Sequence, residues 1–304
     1  MDAHSNKISP GAESVEVSII TVNYKVADLV DELVDSIEKY PPSFEWEMII
    51  VDNDSGGDDP QKLNGLVNMK DNIKLVLSNN NGGFGAGNNL GVENSSGKYL
   101  IFLNPDMVVE EGSLTTLIEH LKECSVCGIV APRVNWSDDS FQPSARSYPN
   151  LLTGLFGRQT ILSKLFPNNP FTKKQLLDLE HATEPAVIEW AAGMAIGVRK
   201  EEFLHVGAWD EKDCMDWEDA DLSLRYRKDL NLITHYIPTV QVKHYHSQSA
   251  TRLGSRATRV FHDSAFYYVR KNLYPSPMDP RRWLSWLALR LRMTAVIIKK
   301  SLKK

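Results

Sequence analysis

Val17-Ser18-Ile19-Ile20-Thr21-Val22 is a β-branched apolar run, and Leu29, Val30, Leu33, Val34 and Ile37 follow it at helical spacing before Pro41 and Pro42. The first pattern predicts a buried strand, the second an amphipathic helix, and the prolines stop that helix. The rhythm then repeats. Met48 to Val51 and Ile73 to Leu77 read as strands two and three, and a Gly/Asn-rich turn leads into another short helix. Tyr99 to Leu103 is the fourth strand, Leu114, Leu117, Ile118 and Leu121 mark a helix, and Val126 to Ala131 is the next strand. Strand, helix, strand with short connections predicts an α/β fold: a mostly parallel central sheet with helices on both faces.

Between about Ser137 and Pro185 the rhythm breaks, with Pro143, Pro149, Pro167, Pro170 and Pro185 among scattered aromatics. This segment reads equally as a surface excursion or as an acceptor-side loop or lid. Strand character returns over Val187 to Val198, and a helix is expected after Trp217, two strands near Leu232 to Tyr236 and Thr239 to His244, and helix from about Ser255. The organisation expected is a flexible tail over 1–14, one catalytic domain over 15–250 and a helical extension over 251–304. Within the domain, a donor half would occupy about 15–132 and an acceptor half about 133–250.

The 304 residues are 42% hydrophobic and 24% charged, which argues for a folded chain and against wholesale disorder. A net charge of -5 supplies no reason to expect nucleic acid as a partner. The three cysteines suit a reducing compartment. Cys124 and Cys127 have metal-like spacing, but no second Cys/His pair follows nearby, so buried thiols are the expectation. The N-terminus lacks the apolar core of a signal peptide, and no window reaches the roughly 18 uncharged apolar residues of a membrane span. A cytoplasmic protein is expected. From Arg281 to Lys304 there are eight Lys or Arg and no acid, so the remaining chain carries about -13. Trp283, Leu284, Leu287, Ala288, Leu291, Ala295 and Ile298 fall on one face of this tail, which suits an anionic lipid surface at the inner face of the cell membrane.

Ligands of open α/β sheets sit beyond the carboxyl ends of the strands. Those ends read Thr21-Val22-Asn23-Tyr24, Asp52-Asn53-Asp54-Ser55, Asn79 through Gly85, and Asn104-Pro105-Asp106. A turn-forming preference explains any one of them, but four together suit a nucleotide site. The glycines are not a dinucleotide fingerprint, because Asn88 stands where the third glycine belongs and the cluster follows the third strand. Asp106 can hold Mg²⁺ or Mn²⁺ against a diphosphate. Farther on, acids crowd Trp209-Asp210-Glu211 and Asp216-Trp217-Glu218-Asp219-Ala220-Asp221, where a first-turn carboxylate can serve the helix dipole or act as a general base.

In this ordered set the chain resembles the family-2 inverting glycosyltransferases of the GT-A fold, especially their bacterial rhamnosyltransferase-like branch. The likeness runs from about Val15 to Ser249 and includes Asn81-Gly82-Gly83-Phe84-Gly85, Gly87-Asn88-Asn89, and His244 with Ser249 five residues on. It implies a dTDP- or UDP-linked sugar donor, with dTDP-rhamnose favoured, and a glycan or polyprenyl-diphosphate-linked acceptor. Val22, Tyr24 and Asp52, flanked by Thr21 and Asp54, would hold base and ribose. Asn81 and Asn88, with Gly82 and Gly83, would shape the sugar and diphosphate side. Asn104-Pro105-Asp106 would be a variant of the family's Asp-x-Asp motif, with Asp106 and His244 on the metal. Asp219, with Glu218 as the alternative, would deprotonate the acceptor. Trp217, Ser249, Arg252 and Arg256 would lie near acceptor or phosphate. Asn104 replaces the motif's first aspartate, so this site has one carboxylate fewer. A nucleotidyltransferase would need a Gly-rich basic loop after strand one, where Asn23 to Asp28 has none, and a module without chemistry would have lost Asp106 or the Glu218-Asp219 pair.

Overall fold

The computed structural model describes residues 14–68, 70–148, 177, 179–212, 217–245 and 254–301, with the side chains of 254–257 and 300 set aside. The N-terminal tail, most of the excursion between Ser137 and Pro185, and the residues around Ser249 and Arg252 lie outside the described residues, as does the Arg256 side chain.

Strands β1 (Val17–Asn23), β2 (Trp46–Asp52), β3 (Ile73–Leu77) and β4 (Tyr99–Leu103) pair in parallel in the order β3-β2-β1-β4. Helices α1 (Ala27–Lys39), α2 (Asp59–Val67) and α3 (Gly83–Glu93) supply the crossovers. Alternation along the strands divides the core into two layers. Val17, Ile19, Ile101 and Leu103 face Val30, Leu33, Val34 and Ile37 of α1. Ile20, Leu100 and Phe102 face the other way, toward Val92 of α3. Both faces are covered, which is why apolar residues of β1 point to both sides of the sheet.

The glycines of α3 answer a packing demand. A Cβ on Gly91 would stand 2.5 Å from Ile20 Cγ2, and one on Gly87 would stand 2.7 Å from Val22 Cγ1. The helix therefore lies directly on β1 and carries its N-terminus to the carboxyl end of the sheet.

Beyond β4 the sheet becomes mixed. Strands β5 (Met107–Val109), β6 (Cys127–Trp136), β11 (Ala195–Arg199) and β12 (Ile233–His244) extend it in the order β4-β11-β6-β12-β5, and α4 (Ser113–Glu123) precedes β6. β11 is antiparallel to β4 and β6, β12 is parallel to β6, and β5 is antiparallel to β12. Short β7 (Phe141–Gln142) pairs with β6. The strand character over Val187 to Val198 resolves into three strands: β9 (Ala186–Ile188), β10 (Trp190–Ala191) and β11. β10 leaves the main sheet to pair with β8 (Ala145–Arg146). Conversely, the two strands expected around Pro238 are one, because β12 absorbs the proline in an irregularity between Ile237 and Gln241.

Helices α5 (Lys200–His205) and α6 (Glu218–Asp229) cover the second face. The chain ends in α7 (Gly254–Tyr268), a π turn over Val269–Leu273, and α8 (Pro280–Ser301), which packs on α7.

At the amino end of the sheet, Glu47 ties three segments together. It accepts hydrogen bonds from Ser18 Oγ (2.8 Å), Ser96 N (2.5 Å) and Ser96 Oγ (2.7 Å), and pairs with Lys74 (2.7 Å). Burial alone would raise its pKa, but Lys74, Ser96 and Ser18 overcome that and hold it near about 2.

Candidate active site

The carboxyl ends of β1 and β2 are joined by one amide. Asn23 Nδ2 donates to Asp52 Oδ1 (2.7 Å), Ser55 Oγ (3.0 Å) and Asp59 Oδ2 (3.1 Å), and Asn23 Oδ1 accepts from Val26 N (3.1 Å). Asn53 does the same for β2 and α3. Its Nδ2 donates to Asn81 Oδ1 (3.1 Å) and Gly83 O (3.0 Å), while Gly82 N donates back to Asn53 Oδ1 (3.3 Å). These two buried asparagines hold three strand ends as one polar rim. The polar strand ends that contain Asn23 and Asn53 are legible in the sequence, whereas the part these two amides play in tying the ends together is not.

The expected donor residues divide by depth on this rim. Val22 and Tyr24 are half-buried, and Asp54 and Asn81 are exposed. Asp52 is buried and committed to Asn23, and Asn88 is buried with its Nδ2 donating to Phe84 O at 3.0 Å. Thr21, expected beside them, is fully buried within β1, and its Oγ1 has no partner among the described residues. It faces the interior because strand alternation places it one step out of phase with Val22.

Asp106 and His244 meet because of register. His244 of β12 stands opposite Met107 of β5, one residue past Asp106, and Tyr245 N donates to Asp106 O at 2.8 Å. Both side chains are buried, and His244 Nε2 lies 3.1 Å from Asp106 Oδ2. His244 Nδ1 contacts Gln142 Oε1 at 2.9 Å, and the ring stacks on Trp136 at 5.5 Å. The Gln142 amide oxygen can only accept, so Nδ1 is the donor there and Nε2 is the atom turned to the carboxylate. That juxtaposition suits a shared cation, with the glutamine and tryptophan fixing the ring's tilt. A carboxylate oxygen and an imidazole nitrogen form a donor set that fits a divalent ion such as Mg²⁺ or Mn²⁺.

The acidic segment separates into roles. Asp221 is buried and bonded to Arg225 (2.8 Å), Lys271 (2.8 Å) and Asn272 (2.8 Å). Asp210 pairs with Lys271 (2.6 Å) and accepts from Tyr267 Oη (2.8 Å). Burial opposes ionisation of Asp210, but Lys271, Lys212 and Tyr267 prevail and lower its pKa. Asn89 of α3 binds Trp209 N and O at 3.1 and 3.0 Å, and Glu211 at 3.0 Å. Those acids hold α6 and α7 in place. Trp217, expected near the acceptor, packs against Phe261 and Tyr268, and its Nε1 has no partner among the described residues.

Glu218 and Asp219 open α6. Glu218 is 5% exposed and accepts from Trp217 N at 2.9 Å, whereas Asp219 is only half-buried. Asp219 Oδ2 accepts from Gly193 N at 2.8 Å, and a Cβ on Gly193 would stand 2.8 Å from Asp219 Oδ1. The next residue, Met194, accepts from Asn104 N through its carbonyl at 2.8 Å. Gly193-Met194 thus links Asp219 to the Asn104-Pro105-Asp106 turn. It reaches both because antiparallel β11 begins opposite the end of β4, with Ala195 across from Leu103. The only signal in the sequence was a small-residue run, Ala191-Ala192-Gly193-Met194-Ala195.

The mostly parallel sheet with polar carboxyl ends, continued by antiparallel β11 and by β6 and β12, is of the GT-A type. The profile of glycosyl transferase family 2 matches residues 18–179, more than half of the chain, and the chain belongs to that family. It is 28% identical over 269 residues to the N-acetylglucosaminyl-diphospho-decaprenol L-rhamnosyltransferase of Mycobacterium tuberculosis, covering 84% of this chain and 85% of that one. It is 27% identical over 201 residues to rhamnosyltransferase WbbL of Escherichia coli, covering 62% and 70% respectively. Among solved structures, GalNAc-T7 with UDP, GalNAc and Mn²⁺ superposes with a TM-score of 0.61 at 14% identity, over 86% of this chain and 57% of that longer one. The Pyrobaculum calidifontis mannosyltransferase PcManGT with GDP-Man and Mn²⁺ gives 0.55 at 14%, over 95% and 74%. These superpositions bear on the fold.

Proposed function

We propose that this chain is an inverting, metal-assisted glycosyltransferase that moves L-rhamnose from dTDP-rhamnose to a hydroxyl of a polyprenyl-diphosphate-linked glycan. The observation that carries the reading is the Gly193-Met194 link, which ties Asp219 to the turn bearing Asp106. The likeness to rhamnosyltransferases supports the choice of sugar and lipid-linked acceptor.

Inversion needs one base on the face opposite the leaving group. Asp219 fills that role better than Glu218, which is buried and turned onto its own helix terminus. The Gly193 N–H fixes the Asp219 carboxylate next to the Met194–Asn104 contact, where it would take the acceptor's proton. Val22, Tyr24, Asp54 and Asn81 line the exposed part of the rim and would bind the nucleotide, with Asn23 and Asn53 keeping them in place. Asp106 and His244 would hold Mg²⁺ or Mn²⁺, whose chemistry there is to neutralise charge gathering on the departing diphosphate. Residues 15–132 form the donor half in this reading, and 133–250 the acceptor half.

With a panel of nucleotide sugars, metal and a GlcNAc-diphospho-polyprenol acceptor, transfer is expected from dTDP-rhamnose, with the anomeric configuration inverted by NMR. A folded protein that transfers no sugar from any donor in the panel sinks the proposal.

Among the described residues, no helix is long and apolar enough to cross a membrane. Attachment at the inner face of the cell membrane is instead proposed for α8. That helix buries Ser285 and Leu289 and leaves Trp283, Leu284, Leu287, Leu291 and Ile298 exposed, Leu291 at 64%. Several cations expected to reach lipid are engaged by protein: Arg290 by Asp263 (2.9 Å), Arg281 by Asp279 (2.7 Å), and Arg292 over the Phe261 ring. The apolar face therefore carries more of the attachment than eight charges suggested. Burying a leucine contributes about 1.5–3 kcal/mol, so Leu287→Asp with Leu291→Asp should abolish sedimentation with anionic vesicles and leave donor binding intact. Vesicle binding unchanged in this double variant would refute the role of α8.

A further inference from the structure

We propose that His120, Cys124, Cys127 and His235 form a structural zinc site in the reduced protein, at the end of the sheet remote from the sugar-transfer residues. Their four ligating atoms lie within 4.8 Å of one another. His120 Nε2 is 3.0 Å from His235 Nδ1 and 3.8 Å from Cys127 Sγ. Zinc bonds of about 2.3 Å to sulfur and about 2.0–2.1 Å to nitrogen imply ligand separations in a tetrahedron of roughly 3.3–3.8 Å. The two His120 spacings lie close to that range, and the sulfurs, joined to each other in the structure, would part on reduction to complete the tetrahedron. Two thiolates and two imidazoles are a donor set that selects zinc over the hard ions suited to Asp106.

The scaffold around the cluster is made independently of the sulfurs. His120 lies on the last turn of α4, Cys124 closes that helix, Cys127 begins β6, and His235 lies on β12. The Arg199 guanidinium caps the turn between the cysteines, donating to Cys127 O (2.7 Å), Cys124 O (3.0 Å) and Leu121 O, and is itself paired with Glu202 (3.0 Å). Arg199 thus keeps the turn in shape whether or not the sulfurs are bonded to each other. The sequence concealed the set, because His120 precedes the cysteines and His235 lies far beyond them.

In the structure Cys124 and Cys127 are joined as a disulfide, which corrects the expectation of buried thiols. The helix end and the turn bring them together, with Cα atoms 5.4 Å apart. Disulfide and zinc exclude each other. A dithiol or phosphine reductant cleaves the S–S bond and leaves two thiols, itself becoming a disulfide or, with oxygen from water, a phosphine oxide. Zinc binding then forms two Zn–S bonds, and both thiol protons pass to solvent. Strands β6 and β12 run from this cluster to Trp136 and His244, so the ion would clamp the base of the strand pair whose far ends shape the Asp106 site.

The test uses the full chain, reduced with a phosphine, freed of metal and titrated with Co²⁺ and then Zn²⁺. One equivalent of Co²⁺ should produce a sulfur-to-cobalt charge-transfer band with intense visible bands, and Zn²⁺ should abolish them. Native mass should rise by one zinc less two protons. Asp106→Ala should keep the signal, and Cys127→Ser and His235→Gln should each lose it. Zinc should also raise the melting temperature of the reduced chain. No thiolate–cobalt band in the reduced wild-type chain, or a zinc adduct that keeps both protons, would overturn the proposal even if the variants failed to fold. A band surviving in folded Cys127→Ser and His235→Gln would overturn it as well.

Discussion

Asp219→Asn is expected to lower turnover by about two orders of magnitude or more while leaving nucleotide affinity nearly unchanged. The asparagine Oδ1 can still accept from Gly193 N, so the link to β11 and the start of α6 should survive. What it cannot do is take a proton from an acceptor hydroxyl. Single-turnover rates with saturating donor and acceptor, beside calorimetric donor affinity, separate the two quantities. Glu218→Gln is the comparison, and its smaller effect would be structural, because Glu218 is buried against the helix terminus. Undiminished turnover in Asp219→Asn would move the base to Glu218 or to another group.

Asp106→Ala should weaken donor binding in the presence of metal by at least about tenfold, the scale on which loss of a well-placed partner at a metal site is felt. It should also erase the difference between measurements with and without a chelator. The substitution removes the carboxylate facing His244 Nε2 but keeps the backbone bond from Tyr245 N to Asp106 O, so β5 should stay paired with β12. Gln142→Leu should give a smaller loss, since it frees the imidazole to turn and removes no proposed ligand. Metal-dependent donor affinity that persists in Asp106→Ala would remove this residue from the cation site.

The contrast between these two residues shows what kind of information each level holds. Asp106 was legible because it follows a buried strand directly, and a strand end is a local property of the chain. Asp219 stood among neighbouring acids, and its place distinguishes it: it accepts from the Gly193 N–H, one residue from the Met194 carbonyl that meets Asn104, whereas Asp210 and Asp221 pair with Lys271 on the side of α7. Thr21 and Trp217 show how chain neighbours part in three dimensions: both lie beside candidate residues in the sequence, but Thr21 is buried within β1 and half-buried Trp217 packs against Phe261 and Tyr268.

The alternation of strands and helices and the polar strand ends were legible in the chain because each rests on residues within a few positions of one another, where periodicity and turn chemistry act directly. The family likeness was legible from the order in which such short motifs follow one another from about Val15 to Ser249. Only the tertiary structure decided that Gly193 serves Asp219, that Asn23 and Asn53 tie the rim, that Gln142 and Trp136 orient His244, and that His120 and His235 converge on a Cys-x-x-Cys turn. Those partners are brought together by strand order, an antiparallel insertion and a shared register. Short-range hydrophobic pattern leaves all three open, because a strand's apolar faces are satisfied by many neighbours, whereas a hydrogen bond or a ligand set is satisfied only by groups at one relative position.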